Sequence, residues 1–277
     1  MLPLLLLALV LVPAGMLHAQ PANLNMYWID VEGGASTLIV SPAGESLLID
    51  TGWTVDDRDA KRIYTMAQHA GLKKIDYLVI SHFHADHVGG LAALSKMILI
   101  GRFFDRGDVI EVENKRWLDD YHAASAGKRT IVKPGDTIPI KGLQVLVVSS
   151  NQELIAKPVN GGGPNPLCAD AEQKASAGLA NARGLGVLLT YGNFKYLNLI
   201  DLDWAKEMEL ACPVNKLGKV TLYQTGRHAS FDGAGAPAFL GAIQPQVVVV
   251  NNGPRKGLGQ QGYRRVQQPA GQDRGAV

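Results

Sequence analysis

The stretch that decides the fold is Ser81-His82-Phe83-His84-Ala85-Asp86-His87-Val88-Gly89-Gly90. It follows Tyr77–Ile80 (YLVI), an apolar run that reads as a short strand. Three of the chain's seven His and one Asp fall within six residues. Alternation along an extended segment puts His82 and His84 on one side. Asp86 and His87 follow where the chain turns toward a helix. Neutral imidazole and carboxylate are ligands that divalent zinc takes at roughly 2.0–2.2 Å. The alternative, a polar surface loop, gives no reason for this density of His.

Working outward, Leu24–Val31, Ser36–Val40 and Ser46–Asp50 read as strands, the first two joined at Gly33 and Gly34. Residues 57–70 carry helical spacing at Ile63, Met66, Ala67 and Ala70, and Gly71 is a natural stop. Leu91–Met97 reads as a helix, and Ile98–Phe104 and Leu143–Val148 as strands. Lys133–Leu143 has the turn chemistry of a hairpin. Residues 156–184, with GGGPNP at 161–166, read as a long loop. Strands resume at Leu185–Thr190 and Phe194–Ile200. A short helix at Trp204–Leu210 comes next, then strands at Val220–Gln224 and Gln246–Asn251 around a helix at Pro237–Ile243. Two batches of strands, each followed by helices, point to an α/β domain of two facing mixed sheets with helices outside.

The chain has 277 residues, 47% of them hydrophobic and 19% charged, with a net charge of +2. This is apolar enough for a sizeable core and too weakly basic for a general nucleic-acid or membrane-surface binder. Two cysteines cannot supply a zinc ribbon, so metal chemistry rests on His and carboxylates. Residues 1–19 (MLPLLLLALVLVPAGMLHA) read as a signal peptide, whose apolar stretch Leu2–Met16 has the length of a signal-peptide core, with Ala19 at the cleavage point. An uncleaved anchor or a misplaced start codon is the alternative. Export to the periplasm or medium, with no membrane attachment after cleavage, is expected. A single folded domain is expected over 20–257. Residues 258–277 lack apolar periodicity and read as a disordered or aberrant tail.

HFHADHVGG resembles the HxHxDH signature of the metallo-β-lactamase fold. Asp30-Val31-Glu32-Gly33-Gly34 with LLIDTG at 47–52, Phe194–Asp203 and Arg227-His228-Ala229-Ser230 resemble the competence-protein-like (DNA-uptake, ComEC-like) branch of that fold. The match spans roughly residues 24–253. It implies an αββα sandwich with metals at one edge. By position it gives His82 and His84 to a first metal and Asp86, His87 and His228 to a second. Asp201 would bridge the two, and Asp203 is the competing candidate. The family usually has Gly before this Asp, where this chain has Ile200. The resemblance also implies that Asp50 orients a ligand from behind the site; the alternative is that it caps a turn. Hydrolases of this fold mostly place a further His before the bridging Asp, but no His occurs from 123 to 227. Asn181, or Arg183, stands in its place, so one metal or two is open. His69 and His122 read as packing or solvated residues.

One or two Zn²⁺ are expected, with Mn²⁺ as the alternative. Such a site activates water toward an electrophile with a polarised oxygen, and Asp86 or Asp201 can shuttle a proton. The substrate is a small molecule or a phosphodiester, with the competence-type likeness favouring the phosphodiester. A β-lactam, lactone or other cyclic carbonyl is the alternative, and a non-catalytic metal-binding module the second. Arg102, Arg106, Lys128 and Arg129 are candidate phosphate-neutralising cations, though unclustered. Both cysteines are expected toward the metal-bearing edge, either joined as Cys168–Cys212 or as two buried thiols. Oligomeric state is not legible.

Overall fold

The computed structural model describes residues 23–253 except 177 and 231. The leader and the tail segment lie outside the described residues. Six strands form the first sheet in sequence order: β1 (Asn25–Trp28), β2 (Thr37–Val40), β3 (Ser46–Ile49), β4 (Lys74–Val79), β5 (Leu99–Asp105) and β6 (Arg129–Ile131). The early pairs are antiparallel, and β3 through β6 run parallel. Parallel neighbours need crossovers, supplied by α1 (Arg58–His69), by α2 (Ala85–Val88) with α3 (Leu91–Met97), and by α4 (Lys115–Ser125). The second sheet has the order β13-β12-β11-β10-β8-β7, with β9 on β8. Its strands are β7 (Thr137–Ile138), β8 (Gln144–Ser150), β9 (Glu153–Leu154), β10 (Gly186–Tyr191), β11 (Phe194–Asn198), β12 (Leu222–Gln224) and β13 (Val247–Val249). α5 (Leu179–Ala182), α6 (Trp204–Ala211) and α7 (Pro237–Ile243) complete the chain.

Period-two alternation explains the layering. Leu38, Leu48 and Leu78 point outward into a core with Ile63, Leu91, Leu94 and Tyr121 of the first helical layer. Their neighbours Ile39, Leu47 and Val79 point inward and meet Val145, Val187, Leu189 and Tyr196 of the second sheet. Leu188 and Leu197 face the other way, toward Trp204, Met208, Phe239 and Leu240 on α6 and α7. The result is the expected αββα sandwich. A polar cluster sits in the apolar interlayer: Gln224 Oε1 accepts from Trp28 Nε1 and Thr37 Oγ1 of the first sheet at 2.9 and 3.0 Å, and from Tyr196 OH of its own sheet at 2.5 Å. No helix among the described residues is long and apolar enough to cross a membrane.

Three local features differ from the sequence expectations. Segment 106–132, unassigned from sequence, holds α4 and β6; only Leu118, Tyr121 and Ser125 of α4 are buried, too sparse a stripe for periodicity to register. The long loop 156–178 is pinned: Pro164 bridges Val214, and Asn165 Nδ2 donates to the Ala211 and Ala238 carbonyls. Cys168 and Cys212 are bonded, with Cα atoms 5.7 Å apart. The bridge is not at the metal-bearing edge. It lies beyond the far end of α6 from Asp201, since eight residues of helix rise about 12 Å.

Candidate metal centre

The parallel strands β3, β4 and β5 deliver their carboxyl ends to one edge, where ligand sites of such sheets form. After β3, Asp50 turns with φ +60°. After β4, the chain stays extended through His82 to His84 (ψ 150°), then coils into α2 with Asp86 and His87. Gly90 lets this turn press on its neighbour: a Cβ there would meet the Thr51 carbonyl at 2.2 Å.

The opposing sheet supplies the rest. β11 ends at Asn198, whose Oδ1 accepts from the Ile200 amide at 3.0 Å. Ile200 takes φ +52°, so the turn forms without the Gly usual there, at the strain cost of a β-branched residue in the left-handed region. Asp201 follows and is buried. The Ile200 carbonyl accepts from the Arg227 amide at 3.0 Å, tying in the loop of His228. That loop carries Arg227, His228 and Ala229 at φ +44°, +55° and +57°.

Two groups of ligand atoms converge, Asp86/His87/Asp201/His228 and His82/His84/Asp201, with Asp201 in both. His87 Nε2 lies 3.3 Å from Asp86 Oδ2 and 3.5 Å from Asp201 Oδ1; His228 Nε2 lies 3.3 and 3.4 Å from the same atoms. Neither nitrogen makes a hydrogen bond among the described residues, though both are buried. Ligands at 2.0–2.1 Å on a tetrahedral ion stand about 3.3–3.4 Å apart, so the four atoms fit a divalent ion. In the other group His82 Nε2 faces His84 Nδ1 at 2.9 Å.

The ring nitrogens behind these ligands are committed. Asp50 Oδ1 accepts from the Ser81 amide at 2.8 Å, and its Oδ2 from the Ser81 hydroxyl at 2.7 Å and His87 Nδ1 at 2.8 Å. Ser81 Oγ, having given its proton to Asp50, accepts from His82 Nδ1 at 3.0 Å. His228 Nδ1 donates to the Asn251 carbonyl at 3.1 Å. These contacts leave the Nε2 lone pairs of His82, His87 and His228 turned inward. Asp50 thus sits where it orients His87 directly and His82 through Ser81. Ser81 and Asn251 were not singled out from sequence. Ser81 lies inside the quoted motif, while a backbone carbonyl such as that of Asn251 leaves no sequence signal.

The charges fit cation capture. Burial pushes the His82 and His84 pKa values down, keeping the rings neutral, with nearby His87 adding to the effect. Burial works against ionised Asp86 and Asp201, but His87 and His228 outweigh it and hold both carboxyls well below the usual range. Burial likewise opposes charge on His87 and His228, and the two Asp outweigh it and raise both. A cation held by the two carboxylates would compete with protons for these rings.

The other candidates fall out as follows. Asp203 is not in the cluster; it caps α6, accepting from the Lys206 amide at 3.1 Å. Asn181, on α5, is buried, and its Oδ1 has no hydrogen-bond partner among the described residues. Arg183 is held by Asn151 Oδ1 at 3.1 Å. His69 packs edge-on against Tyr27, and His122 pairs with Asp108 at 3.1 Å. The four dispersed cations do not form a phosphate-binding set. Arg129 is bound by Asp105 and Asp108, Lys128 donates to the Ile100 carbonyl, and Arg102 stacks on Phe104. Of the four, Arg106 alone has buried donors that lack a partner among the described residues.

A model described as "Metallo-beta-lactamase superfamily" matches residues 29–155, which span β2 through β9 and the whole HxHxDH loop. This chain has the metallo-β-lactamase fold. Relatives agree with that assignment. A UPF0173 metal-dependent hydrolase of Anaeromyxobacter sp. (strain K) is 28% identical over 78% of this chain and 71% of its own length. ComE operon protein 3 of Bacillus subtilis (strain 168) is 23% identical over 81% of this chain, which spans only 28% of that longer protein. The metallo-β-lactamase fold protein YhfI of Bacillus subtilis superposes with a TM-score of 0.54 at 11% identity, covering 87% of this chain and 91% of its own. These likenesses support a metal-dependent hydrolase, and the buried His/Asp groups are the residues that could hold its ion.

Two predictions arise here. Asp50→Asn keeps shape but can no longer accept from all three donors. Metal affinity, read by chelator competition, is expected to fall about 10- to 100-fold; unchanged affinity would remove Asp50 from the site. The second concerns the His228 loop. Buried Glu207 accepts from the Gly235 and Ala236 amides at 2.7 and 2.9 Å and from Tyr223 OH at 3.1 Å, while Tyr223 OH accepts from the Gly226 amide at 2.9 Å. Burial outweighs these bonds and pushes the Glu207 carboxyl up to about 7. An acid whose folded pKa exceeds its unfolded one stabilises fully below the unfolded value, near 4.5. That stability is lost as pH rises through about 7, a total on the order of 3 kcal/mol. Urea unfolding at pH 5 and pH 8 should show wild type losing stability relative to Glu207→Gln; equal losses in both proteins would refute the linkage.

Proposed function

We propose that this chain is an exported, zinc-dependent phosphodiester hydrolase, with Mn²⁺ as the alternative ion. The observation that carries this reading is the pair of converging ligand groups sharing Asp201. Two ions held by one bridging carboxylate suit in-line displacement at phosphorus, because attacking and leaving oxygens are both stabilised. The likeness to ComE operon protein 3 over 81% of the chain supports the competence-type choice. The Cys168–Cys212 bond supports export, since disulfides persist in oxidising compartments.

When bound, the ions supply hydroxide at neutral pH and polarise the substrate oxygen. The chain's own residues do the rest. Asp50 fixes the His87 ring and, through Ser81, the His82 ring. The Asn251 carbonyl fixes His228. Asp86 and Asp201 are the only carboxylates in the two groups, so proton transfer at the reacting oxygen falls to them.

The test is a substrate panel on reconstituted protein holding at least one zinc or manganese per chain. Bis-p-nitrophenyl phosphate should turn over, and nitrocefin and a simple lactone should not. Turnover of nitrocefin or the lactone alone would replace the phosphodiester reading with the cyclic-carbonyl one. A reconstituted chain without metal would point to neither. His84→Ala should abolish hydrolysis; activity surviving that change but not His228→Ala would make the working centre mononuclear.

A further inference from the structure

Arg106 stands at the carboxyl end of β5, on the sheet edge that also presents Asp50 and His82 from the adjoining parallel strands. Its guanidinium lies over the ring of Phe83, between the ligands His82 and His84, with Cζ 5.7 Å from the ring centre. The side chain is 1% exposed and forms no ion pair among the described residues. Nη1 donates to the Val109 carbonyl at 2.8 Å. Nε and Nη2 are buried without a hydrogen-bond partner among the described residues. Those two N–H groups form one edge of the planar fork, the edge that takes two oxygens of a carboxylate or phosphate at once. Glu111 and Asp105 offset its charge without forming an ion pair with it, so the buried fork edge keeps its desolvation cost unless an anion completes it. Arg183 adds positive charge to the same corner, and burial has already lowered the Arg106 pKa to about 10.

We propose that the Nε–Nη2 edge of Arg106 binds a phosphate oxyanion of the substrate beside the His82/His84 group. This rests on the phosphodiester reading and adds a residue that selects for it. On this proposal the oxyanion reaches the buried edge by displacing the segment 107–113. Its Val109 carbonyl covers Nη1, and its Val109 and Val112 side chains are 48% and 88% exposed. The segment must lift for the oxyanion to dock.

The experiment titrates inorganic phosphate into the metal-loaded full chain and follows arginine Nε–H signals by NMR. In parallel, bis-p-nitrophenyl phosphate kinetics are measured for wild type, Arg106→Lys and Arg106→Gln. One Nε–H signal, missing in both variants, should shift saturably with phosphate. KM should rise roughly tenfold or more in either variant, since Lys keeps the charge but not the fork, while kcat and bound metal change less. No shift at saturating phosphate, or an unchanged KM in a folded, metal-loaded variant, overturns the proposal. If both variants fail to fold, the wild-type titration decides, with the Arg106 signal assigned through its backbone. A shift produced by acetate and not by phosphate overturns the choice of oxyanion. A phosphate shift in a protein that does not hydrolyse the diester keeps the oxyanion site and rejects the phosphodiester reading.

Discussion

Asp201→Asn is expected to lower hydrolysis by about a thousandfold or more, because the activation of water depends on ions held in place. The change keeps the size of the side chain and removes its charge. Asp201 Oδ1 lies 3.5 Å from His87 Nε2 and 3.4 Å from His228 Nε2, and Asp201 is the one residue common to both ligand groups. A neutral amide oxygen is a poor ligand for zinc, so both groups lose a member together. Metal analysis should find the ion content reduced in parallel with the rate. Asp203→Asn serves as the control: its carboxylate caps α6 and sits outside the groups, so its rate should stay within a few-fold of wild type. A chain that keeps full metal content and full rate after Asp201→Asn would remove the bridging role.

Removing the Cys168–Cys212 bond with paired Ser substitutions should lower stability by about 3–4 kcal/mol, the loop-entropy value for a sequence separation of 44. The bond fastens the long loop against α6, and the loop is also held by Asn165 on the Ala211 and Ala238 carbonyls. Urea unfolding at fixed metal concentration measures the difference. A loss below about 1 kcal/mol would mean that the Asn165 contacts alone order the loop. Hydrolysis by the folded Ser variant should be close to wild type, since the bridge lies at the far end of α6 from Asp201.

The sheets and most helices were legible because their apolar alternation is strong. Leu47, Leu48 and Ile49 face opposite layers in turn, and the LLIDTG pattern carries that directly. The ligand motif was legible because six consecutive residues hold four donors. The choice between Asp201 and Asp203 was not settled by alternation, since both fall on one side of an extended strand. The chain leaves the strand at Ile200, with φ +52°, so alternation stops applying there and Asp203 becomes a helix cap. Arg106 was one of four scattered cations in the sequence. Only tertiary packing buries it and gives the other three partners. The helix Lys115–Ser125 was hidden because charged residues dominate it, with few buried positions.

The centre draws its ligands from both layers: His82, His84, Asp86 and His87 follow strands of the first sheet, while Asp201 and His228 follow strands of the second. Capture of an ion and docking of the two sheets are therefore a single equilibrium. By mass action an ion at a hundred times its dissociation constant adds about 2.7 kcal/mol to the folded state. The sandwich is in this sense a chelate whose arms are its two sheets, and withdrawal of the ion loosens the joint between the layers as well as stopping the chemistry.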